Sequence, residues 1–205
     1  MPRPRSVSDA DIFAATGRAV SRLGPVKLTL AEVAAQAGVS AATLVQRFGS
    51  KRSLLLAFVS QGSGESFATM AEIRAAHRSP LAALGAVADC MAGLATSPEV
   101  LANNLAFLQI DLVDPEFHKL ALAQARSTRT DIKALLDDAI AARELRPCDT
   151  ADLSRAVVAT LNGSLLQWAI EREGTVRERL RRDLDTLLAP RRRRERRSRR
   201  QRERR

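Results

Sequence analysis

The chain has 205 residues, of which 45% are hydrophobic, 27% are charged and only 3% are aromatic, with no Tyr. Such a composition is typical of a globular protein whose core is built from aliphatic side chains. No run of about 18 apolar residues occurs, the N-terminus lacks the apolar stretch of a secretory signal, and the two cysteines, Cys90 and Cys148, are too few for a disulfide framework. The sequence therefore excludes a membrane-spanning or disulfide-stapled protein and predicts a cytoplasmic location.

The net charge of +10 is concentrated at the two ends of the chain. Residues 191–205 contain 11 Arg and 2 Glu, and residues 1–55 contain 8 basic and 3 acidic residues, so the segment between them is slightly acidic. This distribution indicates a polyanionic partner for the ends, with nucleic acid as the natural candidate, and a different role for the middle.

Apolar residues recur at three and four residue steps from about residue 8 to residue 189, which predicts helices throughout and no strands. The first helix is expected from Ser8 to Arg22. The second runs from Thr29 to Ala37, with Thr29 and Glu32 in the pattern of a reciprocal capping box. A short third helix follows from Ser40 to Arg47, and Ser50 caps a long fourth helix.

Three Ser-Pro or Asp-Pro pairs predict the next helix starts, because proline lacks the amide proton that the first turn leaves unpaired. They are Ser79-Pro80, Ser97-Pro98 and Asp114-Pro115. Two further helices are expected from Thr150 to Glu171 and from Thr175 to Leu188, the last with a second capping box at Thr175 and Glu178. Residues 190–205 are too polar to bury and predict a disordered arm.

The stretch from Thr29 to Leu55 has the spacing of a helix-turn-helix, in which Gly38 supplies the sharp turn between two short helices. The face expected to enter the major groove consists of Ala41, Ala42, Thr43, Val45, Gln46 and Arg47. Gln46 suits an adenine edge, Arg47 suits guanine or phosphate, and the alanine and valine methyls suit thymine methyls. Thr43 and Lys51 suit phosphate oxygens, and the cap residues Thr29 and Ser40 complete the predicted DNA-binding set.

This N-terminal block resembles the tetracycline-repressor (TetR) family. The matching positions are Thr29, Ala34, Ala37, Gly38, Val39, Ser40, Thr43, Leu44, Phe48, Ser50, Lys51, Leu54 and Leu55. The resemblance implies an all-helical fold of about nine helices, a homodimer built from the last two, and a body cavity whose small-molecule ligand weakens binding to a palindromic operator. Val45 departs from the family pattern, since similar proteins usually carry there a Tyr that touches the DNA backbone.

Together these features predict an all-α protein in three parts: a helix-turn-helix domain at 1–55, a ligand-binding and dimerisation domain at 56–189, and an arginine-rich tail at 190–205. Apolar positions on the last two helices are candidates for a dimer interface or for the chain's own core: Leu153, Val157, Leu161, Leu165, Leu180, Leu184 and Leu187. Candidate ligand-pocket residues, which core packing explains equally well, are Phe67, Met70, Met91, Asn104, Phe107, Leu108 and Trp168.

Other interpretations of the sequence compete with a ligand-responsive repressor. Asp111, Asp114, Glu116 and His118 resemble a metal cluster, but their place at a helix start explains the acids, so no metal or other cofactor is expected. No residue set carries a catalytic signature, so the protein is not expected to be an enzyme. The remaining alternative is a nonspecific nucleic-acid-binding protein driven by the arginine tail.

Overall fold

The computed structural model describes residues 7–193, with the side chains of residues 63–68 left aside, and this range contains nine α-helices, a final 3₁₀ turn and no strand. The helices are α1 (Asp9–Lys27), α2 (Leu30–Ala37), α3 (Ala41–Phe48), α4 (Lys51–Ala76), α5 (Pro80–Gly93), α6 (Pro98–Val113), α7 (Pro115–Ala141), α8 (Thr150–Glu171) and α9 (Val176–Leu188). The predicted all-α fold of about nine helices is confirmed.

Each of these nine helices begins after a side chain that accepts a backbone N–H of its first turn, which satisfies a donor that the helix itself leaves unpaired. The nine caps are Ser8, Thr29, Ser40, Ser50, Ser79, Ser97, Asp114, Asp149 and Thr175. The capping box at Thr175 and Glu178 forms in both directions. At Thr29 only half of the predicted box forms, because the Glu32 carboxylate pairs instead with Arg22 at 2.7 Å.

The helix α1 is interrupted at Gly24, whose backbone has φ 72° and ψ 161°. The interruption lets the chain turn toward α2, and α6 packs against it, with Asn103 Nδ2 donating to the Ser21 carbonyl at 2.9 Å. A second clamp comes from α4: Lys51 Nζ donates to the carbonyls of Pro25, Val26 and Leu28 at 3.2, 3.1 and 2.9 Å. The start of α4 therefore fixes the turn that precedes α2.

Two main apolar cores organise the described residues. The first joins α1 to α4 through Ile12, Val33, Leu44 and Leu54, and it also contains Phe117 from α7, which is 1% exposed. We call residues 7–55 the headpiece. The second core is formed by α5, α7, α8 and α9, which make up most of the body. The helix α4 runs without a break through the predicted domain boundary near residue 55, and Phe117 of α7 packs among headpiece residues. The headpiece and the body are therefore joined by both helices.

The helices α4 and α7 run side by side from the headpiece to the opposite end of the body. Arg52 pairs with Asp114 at their N-terminal ends, and Arg74 pairs with Asp138 near their C-terminal ends. The separation of these pairs along α4 and α7 corresponds to about 33 and 36 Å of helix, respectively. The connection between α7 and α8 therefore lies roughly 35 Å from the headpiece, at what we call the distal end.

The last described residues return to this distal end. Arg192 forms an antiparallel bridge with Leu145, Arg146 N donates to Arg191 O at 2.8 Å, and Arg193 N donates to Glu144 O at 3.0 Å. Residues 190–193 were predicted to begin the disordered arm, and this prediction is wrong for residues 191–193 because their backbone groups are hydrogen-bonded. The rest of the predicted arm, residues 194–205, lies outside the described residues.

Among the helices that the structure describes, none has by itself the length and apolar content needed to cross a bilayer, and only the α5–α6 pair, bent by 95°, passes those two criteria when joined.

Candidate nucleic-acid interface

The geometry of α2 and α3 is that of a helix-turn-helix. Gly38 ends α2 in the left-handed conformation (φ 70°, ψ 30°), and Val39 N donates back to Ala34 O at 3.0 Å. Nothing lies within 4 Å of a Cβ built at Gly38, so the backbone angle alone favours glycine here. Val33, Ala34 and Leu44 are buried against α1 and α4, which fixes the orientation of α3.

Four of the α3 side chains that were predicted to point outward do so. Ala41, Ala42, Val45 and Gln46 are exposed, with Val45 at 49%. Within the described part of the chain, the Gln46 amide makes no hydrogen bond, so both its donor and its acceptor are available to a partner. An apolar, methyl-rich surface with one unpaired amide can read the edges of base pairs.

The predicted hydroxyl contacts lie at the beginnings of α2 and α3. Thr29 Oγ1 accepts from Glu32 N, Ser40 Oγ accepts from Thr43 N, and the Ser40 and Thr43 hydroxyl oxygens are 2.9 Å apart. These side chains define the positive ends of the two helices, where backbone N–H groups and hydroxyls suit phosphate oxygens.

The two predicted cationic contacts are directed toward the chain itself. Arg47 Nη1 donates to the Val7 carbonyl at 2.6 Å and Arg47 Nη2 lies 3.1 Å from Asp9. Lys51 is held by the three carbonyls at the α1–α2 turn. In this structure neither side chain presents a free cation. The sequence patterns did not single out Lys27 as a candidate phosphate contact. Lys27 is the last residue of α1, its side chain is exposed, and it forms no ion pair within the described residues.

The six predicted pocket residues whose side chains the structure describes do not belong to one apolar cluster. Met70 and Met91 pack against the body core, Phe107 packs against the headpiece core, and Leu108 is 52% exposed. Trp168 lies in a third cluster with Ala95 and Leu101, where its Nε1 donates to Gly174 O at 3.2 Å. Asn104 donates to Leu94 O, and the side chain of Phe67 lies outside the described residues.

The seven predicted interface residues face inward. Leu153, Val157, Leu161, Leu180 and Leu184 are all at most 3% exposed and belong to the body core, and Leu165 and Leu187 pack against it. Their side chains are therefore used by packing between α8, α9, α5 and α7. The outward face of α8 instead carries Ala159, Asn162, Gly163, Leu166 and Ile170.

The acidic residues at the start of α7 join the headpiece to the body. Asp114 accepts two hydrogen bonds from Arg52 at 2.8 Å, and Glu116 lies 2.6 Å from the same guanidinium. The Arg52 guanidinium lies 5.8 Å from the centre of the Phe117 ring, and its hydrogen bonds hold the pKa of Asp114 below its usual range. Burial raises the pKa of Asp111. Within the described ranges no three His, Cys, Asp or Glu side chains converge on a metal position.

An all-helical chain with an exposed helix-turn-helix face at one end belongs to the class of helix-turn-helix DNA-binding proteins. The model of a family described as "Bacterial regulatory proteins, tetR family" matches residues 12–58, which span α1, α2, α3 and the start of α4. Residues 12–58 are thus similar to the N-terminal region of TetR-family proteins.

Solved structures of low sequence identity share the fold over most of the chain. A TetR transcription regulator from Haloarcula marismortui has a TM-score of 0.77 at 18% identity, covering 90% of this chain and 98% of that one. FadR from Bacillus subtilis, in complex with stearoyl-CoA, has a TM-score of 0.69 at 16% identity, covering 89% and 98%. A TetR-family regulator from Agrobacterium tumefaciens has a TM-score of 0.69 at 22% identity, covering 89% and 94%. Among curated proteins no sequence match is found. The chain therefore has the fold of TetR-family DNA-binding transcriptional regulators.

Proposed function

We propose that the protein is a sequence-specific transcriptional repressor that acts in the cytoplasm, binds a palindromic operator as a homodimer and is released by a small-molecule ligand. The observation that carries this proposal is the exposed face of α3, where an unpaired Gln46 amide stands among the methyl groups of Ala41, Ala42 and Val45. Gln46 would pair with an adenine edge while the methyl groups contact thymine, and Thr29, Ser40 and Thr43 would position phosphates.

A dimer would use the outward face of α8 in place of the buried leucines. Leu166 and Ile170 are 45% and 74% exposed, and Gly163 has nothing within 4 Å of a built Cβ, so a second helix can approach closely there. The helix α6, which packs against α8, adds an exposed stripe of Leu105, Leu108 and Leu112. Exposed apolar patches of this kind mark interaction surfaces, and a two-fold dimer matches a palindromic site.

Ligand control would act through the α4–α7 pair. Phe117 is anchored in the headpiece core, and the Arg52 contacts hold the start of α7 to the start of α4. A ligand that changes the position of α7 in the body would therefore move the headpiece, provided it binds the two positions with different affinity. The B. subtilis neighbour holds stearoyl-CoA, and the aliphatic, aromatic-poor interior of this chain suits a ligand with a similarly apolar acyl chain.

The DNA-reading face is tested by Gln46→Ala. We expect this variant to lose preference at one base pair of each half-site, at about 1–3 kcal/mol, while binding to random duplex stays unchanged. The matched control is Gln36→Ala, which makes the same substitution on α2, outside the α3 face, and should keep the base preference of the unaltered protein. Equal base preference in Gln46→Ala and the unaltered protein would contradict the assigned face.

The dimer is tested by Ile170→Glu and by sedimentation. We expect Ile170→Glu to be monomeric at concentrations at which the unaltered chain is dimeric, because the charge would be buried without a partner. Val26→Glu is the matched control, since Val26 is also exposed, at 66%, but lies in the headpiece. A dimer that survives Ile170→Glu and dissociates with Leu108→Glu would move the interface to α6.

A further inference from the structure

The distal end of the body carries a cluster of exposed arginines that the DNA-binding face does not use. Arg143 and Arg146 flank the Glu144–Leu145 pair. Arg192 lies opposite Leu145 in an antiparallel bridge, and Arg193 N donates to Glu144 O. Arg78 precedes Ser79, which lines the same surface cavity of about 370 Å³ as Glu144 and Arg192. We call the four side chains that form no ion pair within the described residues the distal basic surface: Arg78, Arg143, Arg146 and Arg193.

The neighbouring carboxylates form no ion pair with these four arginines within the described residues. Asp185 pairs with Arg192, Glu144 accepts the hydrogen bond of Leu81 N at 2.9 Å, and Asp149 caps α8. The distal end therefore presents four exposed guanidinium groups, and guanidinium groups recognise phosphate by paired hydrogen bonds.

The distal basic surface cannot strengthen binding to the DNA that α3 contacts. It lies about 33 to 36 Å from the Arg52–Asp114 pair along α4 and α7, which exceeds both the reach of an arginine side chain and the Debye length of roughly 8–10 Å at physiological salt. Membrane-surface helices insert large apolar side chains beside their cations. The exposed large hydrophobic residues of the described chain all lie elsewhere, in the headpiece, just after α5, and in α6, α7 and α8.

We propose that the distal basic surface binds the phosphate backbone of a second DNA duplex, so that one molecule can bridge two DNA segments. This inference rests on the proposed function only in taking the first duplex to be the operator that the α3 face binds. Binding at the distal end needs no base recognition, and its strength is set by the number of phosphates that the arginines contact.

The test compares full-length variants on a random-sequence duplex over a range of salt concentrations. In the distal variant, Arg78, Arg143, Arg146 and Arg193 are replaced by Gln. We expect the slope of log affinity against log salt to become shallower by up to about 3.6, which corresponds to about 0.9 for each lost phosphate contact. The matched control removes the same charge from other body surfaces, by replacing Lys119, Arg126, Arg129 and Arg182 with Gln, and should keep the slope; these four side chains likewise form no ion pair within the described residues.

Bridging is measured directly by capture. The protein bound to an immobilised duplex that carries its selected site should retain a second, labelled random duplex, and the distal variant should release it while still holding the selected site. Unchanged salt slope and unchanged capture in the distal variant would overturn the proposal. Tighter binding to anionic vesicles or to an RNA duplex than to DNA would also overturn it. If the unaltered protein selects no DNA site, but its binding to random duplex still depends on the four arginines, the repressor proposal is rejected and this one stands.

Discussion

Replacing Phe117 by Ala tests whether the start of α7 is anchored in the headpiece. Phe117 is 1% exposed and packs in a core whose other buried members all come from residues 12–55. Removing a fully buried phenylalanine ring costs about 3–5 kcal/mol, a large fraction of the stability of a typical domain. The ring also supports the Arg52 guanidinium, so the contact between α4 and α7 should weaken as well.

The assay is urea unfolding followed by two signals. Circular dichroism reports all helices, whereas Trp168, the single tryptophan, lies in the body and reports that part alone. In Phe117→Ala we expect part of the helical signal to be lost at lower urea than the Trp168 fluorescence change, because the headpiece loses the residue that ties it to the body. Phe117→Leu keeps most of the apolar volume and should cost no more than about 1.5 kcal/mol. A cost below about 1 kcal/mol for Phe117→Ala would refute the anchoring role.

Contacts elsewhere in the chain give three further expectations. A Cβ at Gly85 would overlap the Arg181 guanidinium, so Gly85→Ala should displace Arg181 from Asp89 and destabilise the chain. In urea unfolding, the double variant Gly85→Ala with Asp89→Asn should lose less stability than the sum of the losses in the two single variants. The Arg181 hydrogen bonds lower the pKa of Asp89, so its contribution to stability is complete above the ordinary aspartate pKa of 3.8 and is lost as the pH falls below that value. Asp89→Asn should therefore make the urea midpoint less sensitive to pH under acidic conditions. Lys51→Met should cost about 1–2 kcal/mol through the lost carbonyl contacts, whereas Lys27→Met should leave the melting temperature unchanged and reduce the salt slope of DNA binding by about one.

The helices and their starts could be predicted because their signals are local. A Ser, Thr or Asp before a helical stretch satisfies backbone donors within three residues, so the caps from Ser8 to Thr175 needed no knowledge of the tertiary fold. The turn at Gly38 and the exposed methyl-rich face of α3 follow from the same short-range patterns.

The features that the sequence did not reveal depend on contacts between distant parts of the chain. Arg47 reaches the Val7 carbonyl, 40 positions away, and Lys51 reaches the Leu28 carbonyl, 23 positions away, so neither partner is visible in the local sequence. An apolar stripe such as Leu153 to Leu161 shows which side of a helix is buried, but both a neighbouring helix and a second copy can cover it. The return of Arg192 to Leu145 is likewise a long-range pairing in a segment whose composition favours disorder.

The central claim, sequence-specific DNA binding by a dimer, is tested most directly by selecting duplexes from a random pool with the purified full-length protein at near-physiological salt. The account predicts an enriched palindrome whose half-sites are separated by about one helical turn or a multiple of it, and whose preferred bases change in Gln46→Ala. A pool that shows no common motif, or a motif that Gln46→Ala leaves unchanged, would contradict the assignment of the α3 face as the reader of an operator.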